Sequence, residues 1–177
     1  MAKIVIIGAG SGFGSRLSID ILSRELLKDS TIALCDINEE RLSQVHDYVS
    51  RAIKGHGLPG QCVASTDREE LLPGADFVVT AVSIGGAAYW GEPYASEIGI
   101  PLKYGINQTV ADTVGVGGVF RYLRTAHEHL AFCKSMEKHC PDALMLNYTN
   151  PMAMLTWMHS IGSSIQNVGL CHSVQGT

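Results

Sequence analysis

The sequence contains no long apolar run, no run of basic residues and no signal peptide ahead of its first predicted strand. A transmembrane helix needs about 18 or more consecutive uncharged apolar residues, and no such stretch is present. The net charge of −4 and the lack of basic clusters argue against nucleic acid as the main partner. We therefore expect a cytoplasmic protein that binds neither membranes nor nucleic acid.

Cysteine pairs at metal-binding or redox spacing are also missing. The five cysteines are odd in number and no C-x-x-C motif occurs, so we expect reduced thiols. Cys35 lies in an apolar segment and is interpreted as a small core residue. Charged residues make up 17% and hydrophobic residues 46% of the 177 residues, which excludes a disordered chain and allows one domain with a core.

The amino-terminal stretch predicts a strand, a glycine-rich turn and a helix. Lys3–Ile7 has the composition of a buried parallel strand, and an apolar helical pattern runs over Phe13–Leu27. The spacing departs from G-x-G-x-x-G, because Phe13 stands where the third glycine is usual. Such a turn lets backbone N–H groups approach a pyrophosphate at a helix start, although a plain tight turn has a similar composition. The predicted cofactor-binding residues here are Gly8, Gly10, Ser11, Gly12, Phe13 and Gly14.

An acidic residue ends the second predicted strand, Thr31–Asp36. It lies roughly 20 residues beyond the glycine turn. An acid at this position accepts hydrogen bonds from the ribose hydroxyls of NAD and repels the extra phosphate of NADP. An ordinary helix cap is the alternative role for Asp36, since a helix is predicted from Glu39. Together, the glycine turn and this acid predict an NAD site.

Strands and helices alternate along the rest of the chain. Further helical segments are predicted at Glu39–Ile53, Arg68–Leu72, Val119–His139 and Pro151–His159, the last capped by Asn150. Further strands are predicted at Gln61–Ser65, Ala75–Val82, Ala143–Tyr148 and Gln166–Leu170. This alternation predicts a doubly wound parallel α/β sheet with strand order 3-2-1-4-5-6. Residues Ser83–Gly118 are predicted to form a long irregular connection, which in a compact domain is usually functional or partly disordered.

Ligands bind beyond the carboxyl ends of the strands in sheets of this kind. Ser83 and Ile84 follow the fourth predicted strand and Asn147 lies at the end of the fifth, so all three are predicted to contact the cofactor. Asn150 and Cys171 follow neighbouring strands and are expected on one side of the sheet, facing the nicotinamide.

Other polar and aromatic residues are interpreted as structural. His127, His129, His139 and Cys140 lie on or just beyond a polar helical segment and are predicted to be surface residues. Trp90 and Tyr94 are equally consistent with stacking on a sugar ring and with packing of their loop.

Two motifs carry a resemblance to a known family. N-Y-T-N-P at 147–151 and C-H-S-V at 171–174, with A-D-T at 111–113 leading into G-V-G-G at 115–118, make the whole chain resemble the family 4 glycoside hydrolases. The C-H-S-V segment is similar to the α-galactosidase branch of that family. Val116 departs from the pattern, because many members have proline there.

The resemblance implies a fold like that of malate and lactate dehydrogenases, and hydrolysis of α-galactosides that depends on NAD⁺ and on a divalent metal, usually Mn²⁺. The reaction would proceed by oxidation, elimination, addition and reduction of the sugar. Cys171 would be a metal ligand and His172 the acid for the leaving group. Asn150 would bind sugar hydroxyls, and Asp112 is a further substrate-binding candidate with loop capping as its alternative.

Other activities share the same cofactor site. A net NAD-dependent sugar or 2-hydroxy acid dehydrogenase is one alternative, an α-glucosidase or α-uronidase of the same family is a second, and a non-catalytic NAD-binding fragment is a third. We expect the chain to be the NAD-binding part, residues 1–177, of a larger enzyme whose substrate domain follows, and the complete enzyme to be a homo-oligomer.

Overall fold

The computed structural model describes residues 1–85, 91–108 and 115–171. The strands are β1 (Lys3–Ile7), β2 (Thr31–Cys35), β3 (Gln61–Ser65), β4 (Phe77–Thr80), β5 (Leu144–Asn147) and β6 (Asn167–Gly169). The helices are α1 (Gly12–Leu22), α2 (Glu39–Gly55), α3 (Arg68–Leu71), α4 (Tyr94–Leu102), α5 (Val116–His139) and α6 (Met152–Gly162). The strands form one parallel sheet in the order β3-β2-β1-β4-β5-β6, which confirms the predicted fold class and strand order.

Alternate residues of β1 enter two different cores. Ile4 and Ile6 face α1 and α2, where they join a buried cluster with Leu42 of α2. Val5 and Ile7 face the opposite side of the sheet, where the cluster includes Phe132 of α5. Because both faces of the sheet are covered, its central strands read as continuous apolar runs.

The register of the central strands sets the position of the site. Ile7 pairs with Cys35 of β2 and with Thr80 of β4, and Thr80 in turn pairs with Asn147 of β5. The carboxyl ends of these four strands therefore lie side by side at one edge of the sheet. The turns that follow them are brought together there.

Several predicted helix boundaries differ from the structure. Helix α1 ends at Leu22 and not at Leu27, because the residues beyond it find no core: Leu26 is 91% exposed. Helix α6 begins at Met152, with Pro151 as its N-cap and without a side-chain cap from Asn150. The Asn150–Pro151 peptide bond is cis.

A helix was also missed within the connection that was predicted to be irregular. Helix α4 contains Gly99 and Pro101, residues that disfavour a helical prediction. Helix α5 begins at Val116, three residues before the predicted Val119. Within the described ranges, no helix is both long enough and apolar enough to span a membrane.

Candidate functional site

A cavity of about 920 Å³ lies at the carboxyl edge of the sheet. It is bordered by the turns after β1 to β5 and by one face of α5. The predicted site residues that line it are Gly8, Gly10, Ser11, Phe13, Asp36, Ser83, Ile84 and Asn150. The structure thus brings together residues from both halves of the sequence, as the doubly wound topology requires.

The glycine turn is shaped by close approaches that exclude side chains. Gly8 has a φ of +91°, and a Cβ there would lie 2.9 Å from a methyl of Val82 and still closer to the Ala81 carbonyl. The Gly8 N–H donates to the Cys35 carbonyl oxygen at 2.9 Å, which ties the turn to β2. At Gly14, a Cβ would overlap the backbone of Ala9, so α1 packs directly on the turn. A Cβ at Gly12 would meet nothing within 4 Å, so the packing does not require glycine at this position.

Asp36 joins the glycine turn to the loop after β2. One carboxylate oxygen accepts from the Gly10 N–H at 2.8 Å and the other from the Asn38 N–H at 2.9 Å. The N-cap of α2 is Asn38, whose side chain accepts from the Arg41 N–H, so the alternative that Asp36 caps this helix is wrong. Each carboxylate oxygen can accept a further bond, which leaves capacity for two ribose hydroxyls.

The other end of the cavity is formed by the turns after β4 and β5. Ser83 and Ile84 contact the hydroxyl of Tyr94, and Asn150 lies in the turn after β5. The ring of Tyr148 packs on Phe13 of α1 with 4.9 Å between the centroids. This contact links the second half of the sheet to the start of the glycine-turn helix.

Asn147 lies at the end of β5, beneath the turn that borders the cavity. It is fully buried, and its side-chain oxygen accepts from the Thr80 hydroxyl at 2.9 Å and from the Thr149 N–H at 3.0 Å. Its amide group donates to the Thr149 carbonyl at 3.2 Å and lies 3.5 Å from the Thr156 hydroxyl. Because the amide is satisfied by the protein, Asn147 shapes the turn that carries Asn150.

The predicted metal ligand lies at the next strand. Cys171 follows β6 and is exposed, but it does not border the cavity. Within the described ranges, no group of three His, Cys, Asp or Glu side chains is arranged to hold a metal ion. The predicted acid His172, the substrate-binding candidate Asp112 and the stacking candidate Trp90 lie outside the described residues.

The prediction of surface positions was wrong for His129 and Cys140. His129 is fully buried and its Nδ1 lies 3.0 Å from Nε2 of the equally buried His159. Burial lowers the pKa of His129 to about 3 and that of His159 to about 4, so both rings are neutral near pH 7. Cys140 is buried, and His139 is part-buried against Glu69 at 2.7 Å. His127 is exposed, as predicted.

Sequence reasoning also missed a buried ionic cluster beside the cavity. Glu97 of α4 contacts the guanidinium groups of Arg121 and Arg124 of α5. Arg121 borders the cavity together with Tyr94. The sequence contained one signal of this cluster. Glu97 is the single acid in the otherwise uncharged segment Pro93–Leu102, and Arg121 and Arg124 are spaced three residues apart.

The chain is similar to known proteins over nearly its whole length. A model of the family 4 glycosyl hydrolases matches residues 3–177. An α-galactosidase of Rhizobium meliloti is 43% identical over 98% of this chain and 35% of its own length. An α-galactosidase of Bacillus subtilis is 41% identical over 99% of this chain and 40% of its own length. The chain thus spans about two fifths of the length of the curated relatives it matches.

Solved structures show the same fold. The 6-phospho-β-glucosidase of Thermotoga maritima, determined with manganese, NAD⁺ and glucose-6-phosphate, has a TM-score of 0.81 and 28% identity, covering 97% of this chain and 40% of that one. A lactate dehydrogenase of Cryptosporidium parvum has a TM-score of 0.67 at 17% identity, covering 93% and 42%. The second likeness concerns the fold alone, and it confirms the predicted dehydrogenase-like sheet.

Proposed function

Because the chain belongs to family 4 of the glycosyl hydrolases, we propose that it is the NAD-binding part of an α-galactosidase. The observation that carries this proposal is the contact between Asp36 and the glycine turn. A Cβ at Gly10 would lie 2.8 Å from the Asp36 carboxylate, so only glycine lets the turn approach the acid, and both residues border the cavity. A glycine turn and an acid in this arrangement fit the pyrophosphate and ribose of NAD.

The two ends of the cavity give the cofactor a direction. Asp36 would hold the adenosine ribose, and the turn between Gly8 and Gly14 would hold the pyrophosphate. Ser83 and Asn150, in the turns after β4 and β5, would then contact the nicotinamide end. The extra phosphate of NADP would meet the Asp36 carboxylate, so NAD is the preferred cofactor.

A few residues of this chain are assigned a part in the proposed reaction. NAD, when bound, supplies a hydride acceptor and donor. Asn150 holds sugar hydroxyls at the nicotinamide end, and His172 gives a proton to the departing oxygen. Asp112 remains a further predicted contact to the substrate. The turn around Asn147 keeps Asn150 directed at the cavity.

Cys171 is the chain's proposed contribution to a divalent metal such as Mn²⁺. The described residues do not form a complete metal site, since no group of three suitable side chains converges there. A thiolate binds divalent metals well, although it is unusual for Mn²⁺. The Mn²⁺-bound structure of the Thermotoga maritima relative supports this choice of metal.

The two relatives that are 43% and 41% identical support galactose as the sugar. An α-glucosidase of Erwinia rhapontici is 35% identical and an α-galacturonidase of Thermoanaerobacter italicus is 37% identical, so glucosides and galacturonides are the competing substrates. A panel of p-nitrophenyl α-glycosides with these sugars would rank them directly.

The activity is tested with p-nitrophenyl α-galactoside, NAD⁺ and Mn²⁺ on the complete enzyme that contains this segment. We expect release of nitrophenol without net formation of NADH, because the cofactor is restored in each turnover. Steady accumulation of NADH at the expense of the sugar would instead indicate a dehydrogenase.

The metal assignment is tested separately with Cys171→Ser. We expect a large loss of activity at limiting Mn²⁺, while the affinity for NAD stays within about twofold of the parent. Cys62→Ser, at a part-buried cysteine of β3, is the matched control and should keep its Mn²⁺ dependence. Unchanged Mn²⁺ affinity in Cys171→Ser would show that another residue holds the metal.

A further inference from the structure

A buried ionic cluster connects α4 and α5 beside the cavity. Glu97 is 6% exposed and Arg121 is 7% exposed. The Arg121 Nε donates to one carboxylate oxygen of Glu97 at 3.0 Å, and Arg124 contacts the other oxygen. One carboxylate thus holds two guanidinium groups in a largely dry environment. Such a group of charges is stable only while each charge keeps its partner.

The cluster is continued by an aromatic ring. The guanidinium carbon of Arg121 lies 4.6 Å from the centroid of the Tyr94 ring, and that of Arg124 lies 5.5 Å from it. Two cations therefore contact the π-system of one ring, whose position depends on theirs. The Glu97 carboxylate holds the guanidinium groups of Arg121 and Arg124 in position, and these in turn hold the Tyr94 ring.

Three polar contacts connect this assembly to the turn after β4. The Tyr94 hydroxyl contacts the Ser83 hydroxyl and lies 3.5 Å from the Ile84 carbonyl oxygen. The Arg124 Nε donates to the same carbonyl oxygen at 3.0 Å. Gly85 follows with a φ of +105°, so the chain turns sharply directly after these contacts. The position of Ser83 and Ile84 is thus set by side chains of α4 and α5.

The same turn forms the wall of the cavity at its nicotinamide end. Ser83, Ile84, Tyr94 and Arg121 all border the cavity, whereas Glu97 does not. The opposite end, at Asp36, is held by backbone contacts of the glycine turn and shares none of these partners. A change at Glu97 therefore acts on one end of the site only.

We propose that Glu97 is a positioning residue that holds the turn at Ser83 and Ile84 in place for the nicotinamide half of the cofactor. The assignment of the two halves rests on the proposed NAD-binding function. Without the carboxylate, the guanidinium groups of the buried Arg121 and the part-buried Arg124 repel each other and move toward water. Tyr94 and the Ile84 carbonyl then lose the contacts that keep the turn against the cavity.

The test compares Glu97→Gln with the parent chain in two measurements. Calorimetric titrations measure the affinities of both chains for NAD⁺ and for AMP. On the proposed orientation, NAD⁺ would span the whole cavity, whereas AMP would occupy the Asp36 end alone. We expect the dissociation constant for NAD⁺ to rise about tenfold in Glu97→Gln and that for AMP to change less than about twofold. A general loss of structure would weaken both ligands together. Equal loss for both, or no loss for either, overturns the proposal.

The second measurement needs no cofactor. Amide resonances of Ser83, Ile84 and Gly85 are compared by NMR in the ligand-free parent and variant, and we expect them to shift and to exchange faster with solvent in Glu97→Gln. Unchanged resonances overturn the positioning role even if affinity falls. If the parent chain does not bind NAD⁺, the proposed function fails, while these resonances still decide the role of Glu97.

Two further variants separate positioning from stability. Arg124→Gln leaves the pair of Glu97 and Arg121 intact, so the chain is expected to fold, but it removes the donor to the Ile84 carbonyl. In Arg124→Gln the dissociation constant for NAD⁺ should rise about threefold, while that for AMP should stay nearly unchanged. Glu137→Gln is the matched control, because this exposed acid of α5 accepts from the Ser164 N–H at 2.8 Å, far from the turn. It should leave the ratio of NAD⁺ to AMP affinity unchanged, and an altered ratio would contradict the proposal.

Discussion

The two halves of the sheet form their parts of the cavity by different means. From β1 to β3, the site is held by backbone N–H groups: the Gly10 N–H donates to the Asp36 carboxylate, and the Gly8 N–H donates to the Cys35 carbonyl. From β4 to β6, it is made of contacts between buried side chains. Thr80 donates to Asn147, and Arg121 donates to Glu97.

This difference decides how each half responds to mutation. The first half depends on space that a side chain would fill, so adding one carbon is the damaging change. The second half depends on buried polar pairs, so removing one partner is the damaging change. Matched substitutions can therefore separate the two halves.

The largest effect is expected at Gly8. Gly8→Ala places a Cβ at a φ of +91° and against the Ala81 carbonyl and Val82, and we expect a loss of roughly 3 kcal/mol or more in the free energy of unfolding, with no NAD binding. Urea denaturation measures the stability. The control is Gly12→Ala, which meets nothing within 4 Å and should change stability by less than about 1 kcal/mol. Equal effects of the two variants would contradict the steric explanation.

The next effect is expected at Asn147 in the second half. Asn147→Ala leaves the Thr80 hydroxyl and the Thr149 N–H buried without their acceptor, which should cost about 2–3 kcal/mol of unfolding free energy. Asn167→Ala is the matched control, since Asn167 donates to the exposed Ser160, and a change of about 0.5 kcal/mol is expected. If Asn147→Ala keeps its stability and loses only NAD affinity, Asn147 contacts the cofactor directly.

The third effect depends on pH and belongs to the second half. The folded pKa values of His129 and His159, about 3 and about 4, lie below the ordinary 6.5, so the unfolded chain binds more protons. Stability is therefore complete above pH 6.5 and falls as the pH drops from 6.5 toward 4. Between pH 6.5 and pH 5.5 we expect a loss of about 2 kcal/mol from this pair, about 1 kcal/mol for each ring.

Replacement of both rings by leucine should remove this part of the pH dependence. Glu137 and Lys134 of α5 are exposed and remain in both proteins, and His127→Gln, at an exposed ring, is the control that should keep it. Urea denaturation at pH 7, 6 and 5 provides the measurement. A parent chain whose stability does not change over this range would contradict the buried neutral pair.

The same difference explains what could be predicted from the sequence. The glycine turn, Asp36 and the strand order were predictable, because a strand, a tight turn and a helix are encoded within a few neighbouring residues. The end of α1 was predicted wrongly, because Leu26 continues the apolar pattern although no core lies opposite it. Local patterns report which faces are apolar, and they do not report which faces find a partner.

The second half was harder to predict, because its contacts join pairs of buried polar side chains and no local pattern indicates which side chains meet. His129 was interpreted as a surface residue, since its helix is polar overall, yet it meets His159 from α6. Helix α4 was missed, since Gly99 and Pro101 obscured it, and the Glu97 cluster was missed with it. The residues His172 and Asp112, predicted from family resemblance, remain predictions.

The most direct test of the proposed site is calorimetric titration of the parent chain and of Asp36→Ser with NAD⁺ and NADP⁺. The parent should bind one NAD⁺ per chain and should bind NADP⁺ at least about tenfold more weakly, because the Asp36 carboxylate accepts the ribose hydroxyls and repels the extra phosphate. Asp36→Ser should weaken NAD⁺ binding and bring the two affinities closer together. Equal affinities of the folded parent for the two cofactors, or no binding of NAD⁺, would contradict an NAD site at the glycine turn.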